Sequence, residues 1–218
     1  MTGELFEITA NKLKVVSLDG HRISIRNVEL NNSYDNISVI IPGKTLIEIN
    51  KILNGGVDDI VKIYFTDKHI LFEFESTVVL SRLIEGEYYK IDKMLSSDYE
   101  TKITVNKKEM LDSIDRTTLL MKEAEKKPVI IDIKDNSMGL AMNSSIGSMD
   151  EEIDAVKEGK DILIGFNPRF LIDALRVIDD EEITLYMINP KAPCFIRDKD
   201  ESYIYPVSYT HLRAHETG

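Results

Sequence analysis

The chain has 218 residues, of which 43% are hydrophobic and 30% charged, and its formal net charge is −11. This composition excludes a disordered or collagen-like chain, and the acidic balance argues against a uniformly basic coat for nucleic acid, although it leaves room for one basic face. A single cysteine excludes an internal disulfide, and no apolar run reaches the roughly 18–20 residues of a membrane helix. The first residues do not have the pattern of a secretory signal. We therefore expect a cytoplasmic protein.

The first half of the chain predicts a hairpin, a helix and several further strands. Residues 12–26 alternate apolar and polar side chains on both sides of Asp19-Gly20, which is a strong hairpin signal. Pro42 opens a helix over residues 43–53, and Gly55-Gly56 ends it. Short strands are predicted at Ile37–Ile41, Val61–Thr66, Ile70–Glu75 and Val78–Leu83.

The second half repeats this order after an amphipathic helix predicted over Val105–Lys126. The apolar face of that helix consists of Met110, Ile114, Thr117 and Met121. Pro168 opens a further helix over residues 169–178. Strands are predicted at Val129–Ile133, Met138–Met142, Asp161–Gly165, Ile183–Ile188, Cys194–Arg197 and Tyr203–Tyr205.

The two halves align without a gap over LIEINKIL at 46–53 and LIDALRVI at 171–178. At about 100° per residue, the faces predicted to be buried are Leu46, Ile49 and Leu53, then Leu171, Ala174 and Ile178. The opposite faces read basic, acidic, basic in both copies: Lys44, Glu48 and Lys51, then Arg169, Asp173 and Arg176. For one such helix, a solvated face with ion pairs is a sufficient explanation. For two copies in register, a shared surface role is an equally good explanation.

One short stretch has the residue types of an active site. Asp19, His21 and Arg22 bring a carboxylate, an imidazole and a guanidinium together, but no nucleophile stands nearby. Gly55-Gly56 follows a helix and therefore does not cradle phosphate, and Cys194 is interpreted as a buried, inert thiol. We expect no catalytic residue, no metal site and no cofactor.

Four stretches together resemble a known family in order and spacing: LDGHRISI, SVIIPGKTLIEINKIL, VVLSRLIEGEYYKIDKML and IGFNPRFLIDALRVI. From Met1 to about Tyr205 the chain resembles the bacterial replicative sliding clamp, the beta subunit of DNA polymerase III. The resemblance implies an α+β DNA-clamp fold of repeated domains, with antiparallel sheets outside and helices lining the DNA-facing surface. It implies that Lys44, Lys51, Arg169 and Arg176 face duplex DNA, which a ring holds through weak, non-specific phosphate contacts.

The resemblance also implies a domain arrangement. A subunit of that family has three such domains, and two subunits close head to tail into a ring. The chain resembles the middle domain at 1–98, without its first strand and helix, and the last domain at 99–205, with its final strand incomplete. Family members are homodimers, whereas we expect this chain to be monomeric because the partner of its last domain is absent.

In the family, a hydrophobic cleft receives short peptides from polymerases, the clamp loader and repair proteins. The positions that match its motif are Met1, Leu18, Gly20, His21, Arg22, Ile23, Tyr89, Lys93 and Met94. Leu18 stands where the family more often has threonine, Tyr89 replaces a frequent proline, and Lys93 and Met94 replace arginine and valine. These departures change the rim of the cleft but keep its floor apolar. Gly20 is expected to let the hairpin turn so that its neighbours can line the groove.

The last residues do not match the family. Clamp chains finish with a strand that lines the same cleft, and Tyr203–Tyr205 begins such a strand. Residues 206–218, PVSYTHLRAHETG, do not continue the pattern and look like translated sequencing-adapter sequence. We therefore expect this tail to be foreign and assign no metal site to His211 and His215.

The sequence thus predicts a processivity factor without catalysis of its own, with duplex DNA and partner peptides as ligands. The alternative from another class is a hydrolase or nuclease that uses Asp19 and His21. A third hypothesis, a repeat protein that binds partners other than DNA, would be favoured if the charged helix faces were buried.

Overall fold

The computed structural model describes residues 3–56, 59–95, 97–121 and 127–210. These residues form two compact units, which we call the first unit and the second unit. The first unit comprises Met1–Asp19 with Ile25–Lys93, and the second comprises Gly20–Ser24 with Met94–Gly218. Because the units are not continuous in sequence, the predicted domain limits at 1–98 and 99–205 stay a prediction.

The first unit combines antiparallel strands with one helix. Its elements are β1 (Gly3–Leu18), β2 (Ile23–Pro42, mostly in this unit), α1 (Gly43–Ile52), β3 (Lys62–Phe65), β4 (His69–Phe74) and β5 (Thr77–Arg82). Strands β3, β4 and β5 form an antiparallel sheet in that order, and β1 lies beside β2. The core consists of Phe6, Ile41, Ile49, Ile70, Phe72, Phe74 and Leu83. A 3-10 turn, Asp92–Met94, follows, and its last residue belongs to the second unit.

The described residues of the second unit form antiparallel strands and two helices. Its elements are β6 (Thr101–Asn106), α2 (Lys107–Thr118), β7 (Val129–Lys134), β8 (Ser137–Asn143), β9 (Ser148–Gly159), β10 (Ile162–Phe166), α3 (Pro168–Leu175), β11 (Glu182–Met187), β12 (Cys194–Arg197) and β13 (Tyr203–Val207). The strand order is β13-β12-β11-β6-β9-β8-β7-β10. Helices α2 and α3 pack against each other over a core that includes Ile103, Met110, Ile114, Phe166 and Leu171.

The structure corrects several sequence predictions. The central helix ends at Thr118 rather than Lys126, and Val105 belongs to the preceding strand β6; residues 122–126 lie outside the described residues. Three residues of the predicted apolar face, Met110, Ile114 and Thr117, are confirmed as buried, whereas Met121 lies after the end of the helix and is only partly buried. The last strand reaches Val207, because Pro206 and Val207 pair with Phe195 and Cys194 and are buried.

Two residues with positive φ angles support the internal repeat. Leu46 and Leu171 align with an offset of 125 residues, and the same offset relates Ala10 to Asp135. These two residues are in the left-handed conformation, with φ of 53° and 49°. Non-glycine residues rarely adopt this conformation, so its occurrence at matching positions indicates the same backbone path in both units.

The two aligned helices begin differently but expose matching faces. In α3, Pro168 is the first helical residue and the Asn167 side chain accepts a hydrogen bond from the Arg169 amide, whereas α1 has Pro42 at the cap position. Leu53, predicted to be buried, is 37% exposed. None of the helices in the described ranges is long and apolar enough to span a membrane.

Candidate functional site

Three segments that are distant in sequence meet in the second unit. They are residues 20–24, the start of α3, and β13 with the residues after it. The side chains that meet there are His21, Arg22, Phe170, Asp173 and Tyr205. We call these five residues the Arg22 cluster.

The start of α3 supplies two members of the cluster from one helix face. Phe170 and Asp173 are three residues apart, so their side chains lie one above the other on the helix surface. The opposite side of the helix is anchored by Leu171 and Ala174, which have no solvent exposure. Because this buried side fixes the rotation of the helix, Phe170 and Asp173 face residues 20–24.

Arg22 connects the three segments. Its Nη1 atom donates to Asp173 Oδ2 at 2.6 Å and to the Tyr205 hydroxyl at 3.2 Å. Its guanidinium carbon lies 4.5 Å from the centre of the Phe170 ring, which is a cation–π arrangement. The Arg22 side chain is only 27% exposed, so its hydrogen bonds are partly shielded from water. These contacts hold the guanidinium in one orientation.

His21 contacts the same aromatic ring. Its imidazole stacks on Phe170, with ring centres 5.8 Å apart and planes at 26°. The backbone is also fixed here, since the Ser208 amide donates to the His21 carbonyl oxygen at 2.8 Å and Arg22 pairs with Val207. The cluster is therefore a half-exposed surface of one aromatic ring, one imidazole and one paired guanidinium.

Tyr205 provides the buried end of the cluster. Burial raises the pKa of Tyr205 to about 12, and the hydrogen bond from Arg22 partly opposes that rise. A raised folded-state pKa means that the folded protein holds the phenol proton more tightly than the unfolded chain does. The protein is therefore more stable at neutral pH, where the phenol is protonated, than at high pH. The stabilisation is fully present below about pH 10, where an unfolded tyrosine titrates, and is lost as the pH rises towards about 12.

We therefore expect wild-type protein to lose stability between pH 10 and 12 more steeply than a Tyr205→Phe variant. Urea titrations of both proteins across this range measure the difference. Ultraviolet absorbance should also show one tyrosinate titrating near pH 12 in the wild type and missing in the variant. A Tyr205 midpoint close to 10 would contradict the burial argument.

The predicted cleft residues are found in different places. Gly20, His21, Arg22, Ile23 and Met94 belong to the second unit, whereas Leu18 and Tyr89 belong to the first. Within its unit Ile23 is buried, while Tyr89 and Met94 are 59% and 47% exposed. Met1 and the side chain of Lys93 lie outside the described residues. The membership of these positions in one cleft stays a prediction.

The reason given for Gly20 is wrong, although its place next to His21 stays as predicted. Its φ angle is not in the left-handed region, and an added Cβ atom would meet nothing within 4 Å. The turn therefore does not require glycine at this position. What places His21 and Arg22 is the backbone pairing with Val207 and Ser208.

Sequence reasoning assigned no role to Phe170. The prediction that Asp173 lies on the exposed face of its helix is confirmed, since its side chain is 56% exposed, but its ion pair with Arg22 was not predicted. Arg22 and Asp173 are 151 residues apart, so no local pattern could indicate that they form an ion pair. One feature of the sequence could have indicated a surface site here. Phe170 and Asp173 are spaced three residues apart on the side of the helix that faces away from its apolar residues.

The four predicted DNA-facing cations are exposed within their own units. Lys51 Nζ lies 2.9 Å from Glu48 Oε1, and Arg176 Nη2 lies 3.3 Å from Asp115 Oδ1. In contrast, Lys44 and Arg169 form no ion pair within the described part of the chain. Lys44 and Arg169 are therefore the cations of this set that can approach phosphate without giving up a carboxylate.

Other candidate chemistry is limited. Burial raises the pKa of the Cys194 thiol far above its usual range, which keeps it protonated and unreactive. Among residues 3–56, 59–95, 97–121 and 127–210, no three histidine, cysteine or carboxylate side chains are grouped so that they could hold a metal ion. The charged helix faces are exposed, which does not favour the hypothesis of a repeat protein with buried helix faces.

Comparisons with known proteins agree with this architecture. Residues 1–90 match the family model of the DNA polymerase III beta subunit, central domain, and residues 92–211 match that of its C-terminal domain. A beta sliding clamp of Staphylococcus aureus is 32% identical over 206 residues, which are 94% of this chain and 54% of that protein. The chain thus spans about half the length of the curated relatives it matches.

Solved structures give the same result. A candidate DNA polymerase III beta subunit from Eubacterium rectale is 64% identical, with a TM-score of 0.94 over 96% of this chain and 57% of the other. The DNA polymerase sliding clamp from Bacillus subtilis is 32% identical, with a TM-score of 0.92 over 97% of this chain and 57% of the other.

The two α+β units therefore have the sliding-clamp fold, as predicted from the sequence. The chain belongs to the DNA polymerase III beta subunit family, and its residues correspond to the central and C-terminal domains. The family assignment gives no support to the hydrolase or nuclease alternative based on Asp19 and His21.

Proposed function

We propose that this chain acts as a sliding clamp, a non-catalytic processivity factor that holds a DNA polymerase on duplex DNA. The family assignment supports this function, and the Arg22 cluster is the observation that carries its binding step. The sequence motif contributes His21 and Arg22, and the tertiary fold adds Phe170, Asp173 and Tyr205 around them. This arrangement suits recognition of a ligand, since its charged groups are already paired with each other.

The partner is an extended peptide with aliphatic and aromatic side chains, as polymerase, clamp-loader and repair proteins would present. The half-exposed Phe170 ring offers an apolar contact, and the fixed Arg22 guanidinium adjoins it. Asp173 neutralises Arg22, so an apolar peptide does not have to cover an unpaired charge, which would be costly. Titration of a labelled peptide of this kind with the full chain, followed by fluorescence anisotropy, tests the proposal; failure to bind would overturn it.

Duplex DNA is the second proposed ligand. Exposed cations on the outer faces of α1 and α3 support weak phosphate contact, while the net charge of −11 opposes tight, static binding. Such contacts suit a protein that must move along DNA. No base-specific contact is part of this proposal.

Replacing Lys44 and Arg169 together by alanine should flatten the salt dependence of binding to a labelled DNA duplex. Each lost phosphate contact lowers the slope of log affinity against log salt by about 0.9, so the pair should lower it by up to about 1.8. The matched control is the Lys51 and Arg176 pair, whose loss should have a smaller effect because both already bind carboxylates. Anisotropy titrations at several NaCl concentrations measure both slopes, and an unchanged slope for Lys44 and Arg169 would contradict the assignment.

A further inference from the structure

The segment after α1 contains the one asparagine of the chain that is followed by glycine, Asn54-Gly55. Helix α1 ends at Ile52, and residues 53–56 belong to no regular element and are exposed. Asparagine is a chemically labile residue, and glycine has no Cβ atom that would hinder attack of its backbone nitrogen on the preceding side chain. A reactive pair of residues therefore lies at the exposed end of α1.

Within the described ranges, no hydrogen bond restrains the two reacting groups. Neither the Asn54 side-chain amide nor the Gly55 backbone nitrogen has a partner there. The turn that follows is held elsewhere: the Gly56 amide donates to Asp59 Oδ2 at 2.6 Å, and the Asp59 amide donates to the Gly56 carbonyl oxygen at 3.1 Å. An added Cβ atom at Gly55 would lie 2.6 Å from Asp59 Oδ2, so glycine also gives this carboxylate room.

Several other asparagines are held or blocked. The Oδ1 atoms of Asn106 and Asn167 each accept a hydrogen bond from a helix amide, and Asn189 Oδ1 accepts one from the Lys191 amide. Asn167 and Asn189 also precede prolines, whose nitrogen has no proton to lose. Asn50 lies inside α1, where the next backbone amide belongs to the helical hydrogen-bond pattern. Sequence neighbour and conformation together therefore distinguish Asn54 from these positions.

We propose that Asn54 is a self-modification site that converts to aspartate and isoaspartate. The Gly55 nitrogen attacks the Asn54 Cγ atom and loses its proton, while the bond from Cγ to the side-chain nitrogen breaks and ammonia leaves. Water then opens the resulting succinimide ring. Attack of water at Cγ gives aspartate, and attack at the main-chain carbonyl carbon gives isoaspartate, in which the main chain runs through Cγ. Either product replaces a neutral amide by a carboxylate.

The new carboxylate would affect α1 in two ways. It would lie two residues after Ile52, at the C-terminal end of the helix, where the helix dipole disfavours a further negative charge. It would also follow Lys51 by three residues on the helix proposed to contact DNA, and this second effect rests on the proposed function. Conversion should therefore weaken the phosphate contact of α1 as the protein ages, without the action of an enzyme.

The modification is tested by peptide mapping of the full chain after storage in warm, mildly alkaline buffer. Trypsin separates the two asparagines of this region, since Asn50 lies in fragment 45–51 and Asn54 in fragment 52–62. We expect fragment 52–62 to gain the mass difference between a hydroxyl and an amino group and to give two product peaks, while fragment 45–51 stays unchanged. In the matched Asn54→Gln variant the change should be far slower, because glutamine would have to form a larger ring. No conversion at Asn54, or equally fast conversion at Asn50, would overturn the proposal.

The effect on DNA is tested with an Asn54→Asp variant, which carries the charge of the product from the start. At low salt it should bind a labelled duplex about twofold more weakly than the wild type or Asn54→Gln, as expected for one extra charge at about 10 Å in water. The difference should vanish at high salt because of screening. Equal affinities at low salt would overturn the effect on DNA binding. Failure of every form to bind DNA would overturn the proposed function together with this effect, whereas the peptide map decides the modification independently.

Discussion

A Phe170→Ala variant should bind an extended peptide with leucine and phenylalanine anchors at least about tenfold more weakly than the wild type. Phe170 is the ring that both His21 and Arg22 contact, at 5.8 Å and 4.5 Å. A fully enclosed apolar side chain contributes roughly 1.5–3 kcal/mol, and about 1.4 kcal/mol corresponds to a tenfold change in affinity. Loss of the ring also removes the surface that orients His21. Fluorescence anisotropy of the labelled peptide measures the change.

The matched control for this prediction is Tyr99→Ala. Tyr99 is an aromatic residue of the second unit that is 45% exposed, and its ring contacts Tyr186 at 5.3 Å rather than the Arg22 cluster. Thermal unfolding of both variants distinguishes lost binding from lost folding, because Phe170 also packs against the edge of the core. Equal peptide affinity of the Phe170→Ala variant and the wild type would remove the cluster from the binding site.

Replacing Gly159 by alanine should destabilise the protein by roughly 3 kcal/mol or more. Gly159 ends β9 with a φ angle of 97°, which side chains other than glycine rarely adopt. An added Cβ atom would also lie 2.0 Å from the carbonyl oxygen of Glu100, so the backbone would have to move. Urea unfolding at neutral pH measures the free energy.

Two other glycines separate the causes of that effect. Gly86 has a φ angle of 125° but an open environment, so Gly86→Ala should show the conformational cost without the clash. Gly20 has neither a positive φ angle nor an atom close to an added Cβ. Gly20→Ala should therefore change the free energy of unfolding by less than about 0.5 kcal/mol. A Gly159→Ala protein as stable as the Gly20→Ala protein would contradict the geometry of the β6–β9 pairing.

Local patterns were sufficient for most regular elements. The helical period identified the buried face of α3, where Leu171 and Ala174 are buried as predicted. Ile178 is also buried as predicted, although the helix ends at Leu175 rather than at Ile178. Strand β12 was predicted with its observed bounds, Cys194–Arg197, because a short apolar run lies between a proline and charged residues. Periodicity reports which side of an element is apolar, and that property belongs to the sequence alone.

Strands β6 and β9 were not predicted, and the reason is tertiary pairing. In β9 carboxylates alternate with Ile153 and Ala155, and only these two apolar residues of the strand are buried. Its strand conformation is imposed by hydrogen-bonded neighbours on both edges, β6 and β8. Acidic residues disfavour a strand when considered alone, but the sheet context overrides that preference.

The sequence by itself determined the repeat, the fold family and two residues of the candidate site, His21 and Arg22, because these depend on short motifs and on spacing along the chain. Only the tertiary structure decided which groups surround them. Arg22 reaches Asp173 and Tyr205 because strand pairing at Val207 brings residues 20–24 to the start of α3. Contacts between residues more than 150 positions apart depend on how the sheet closes around its core, and that closure is the sum of many weak packing terms that no single segment encodes.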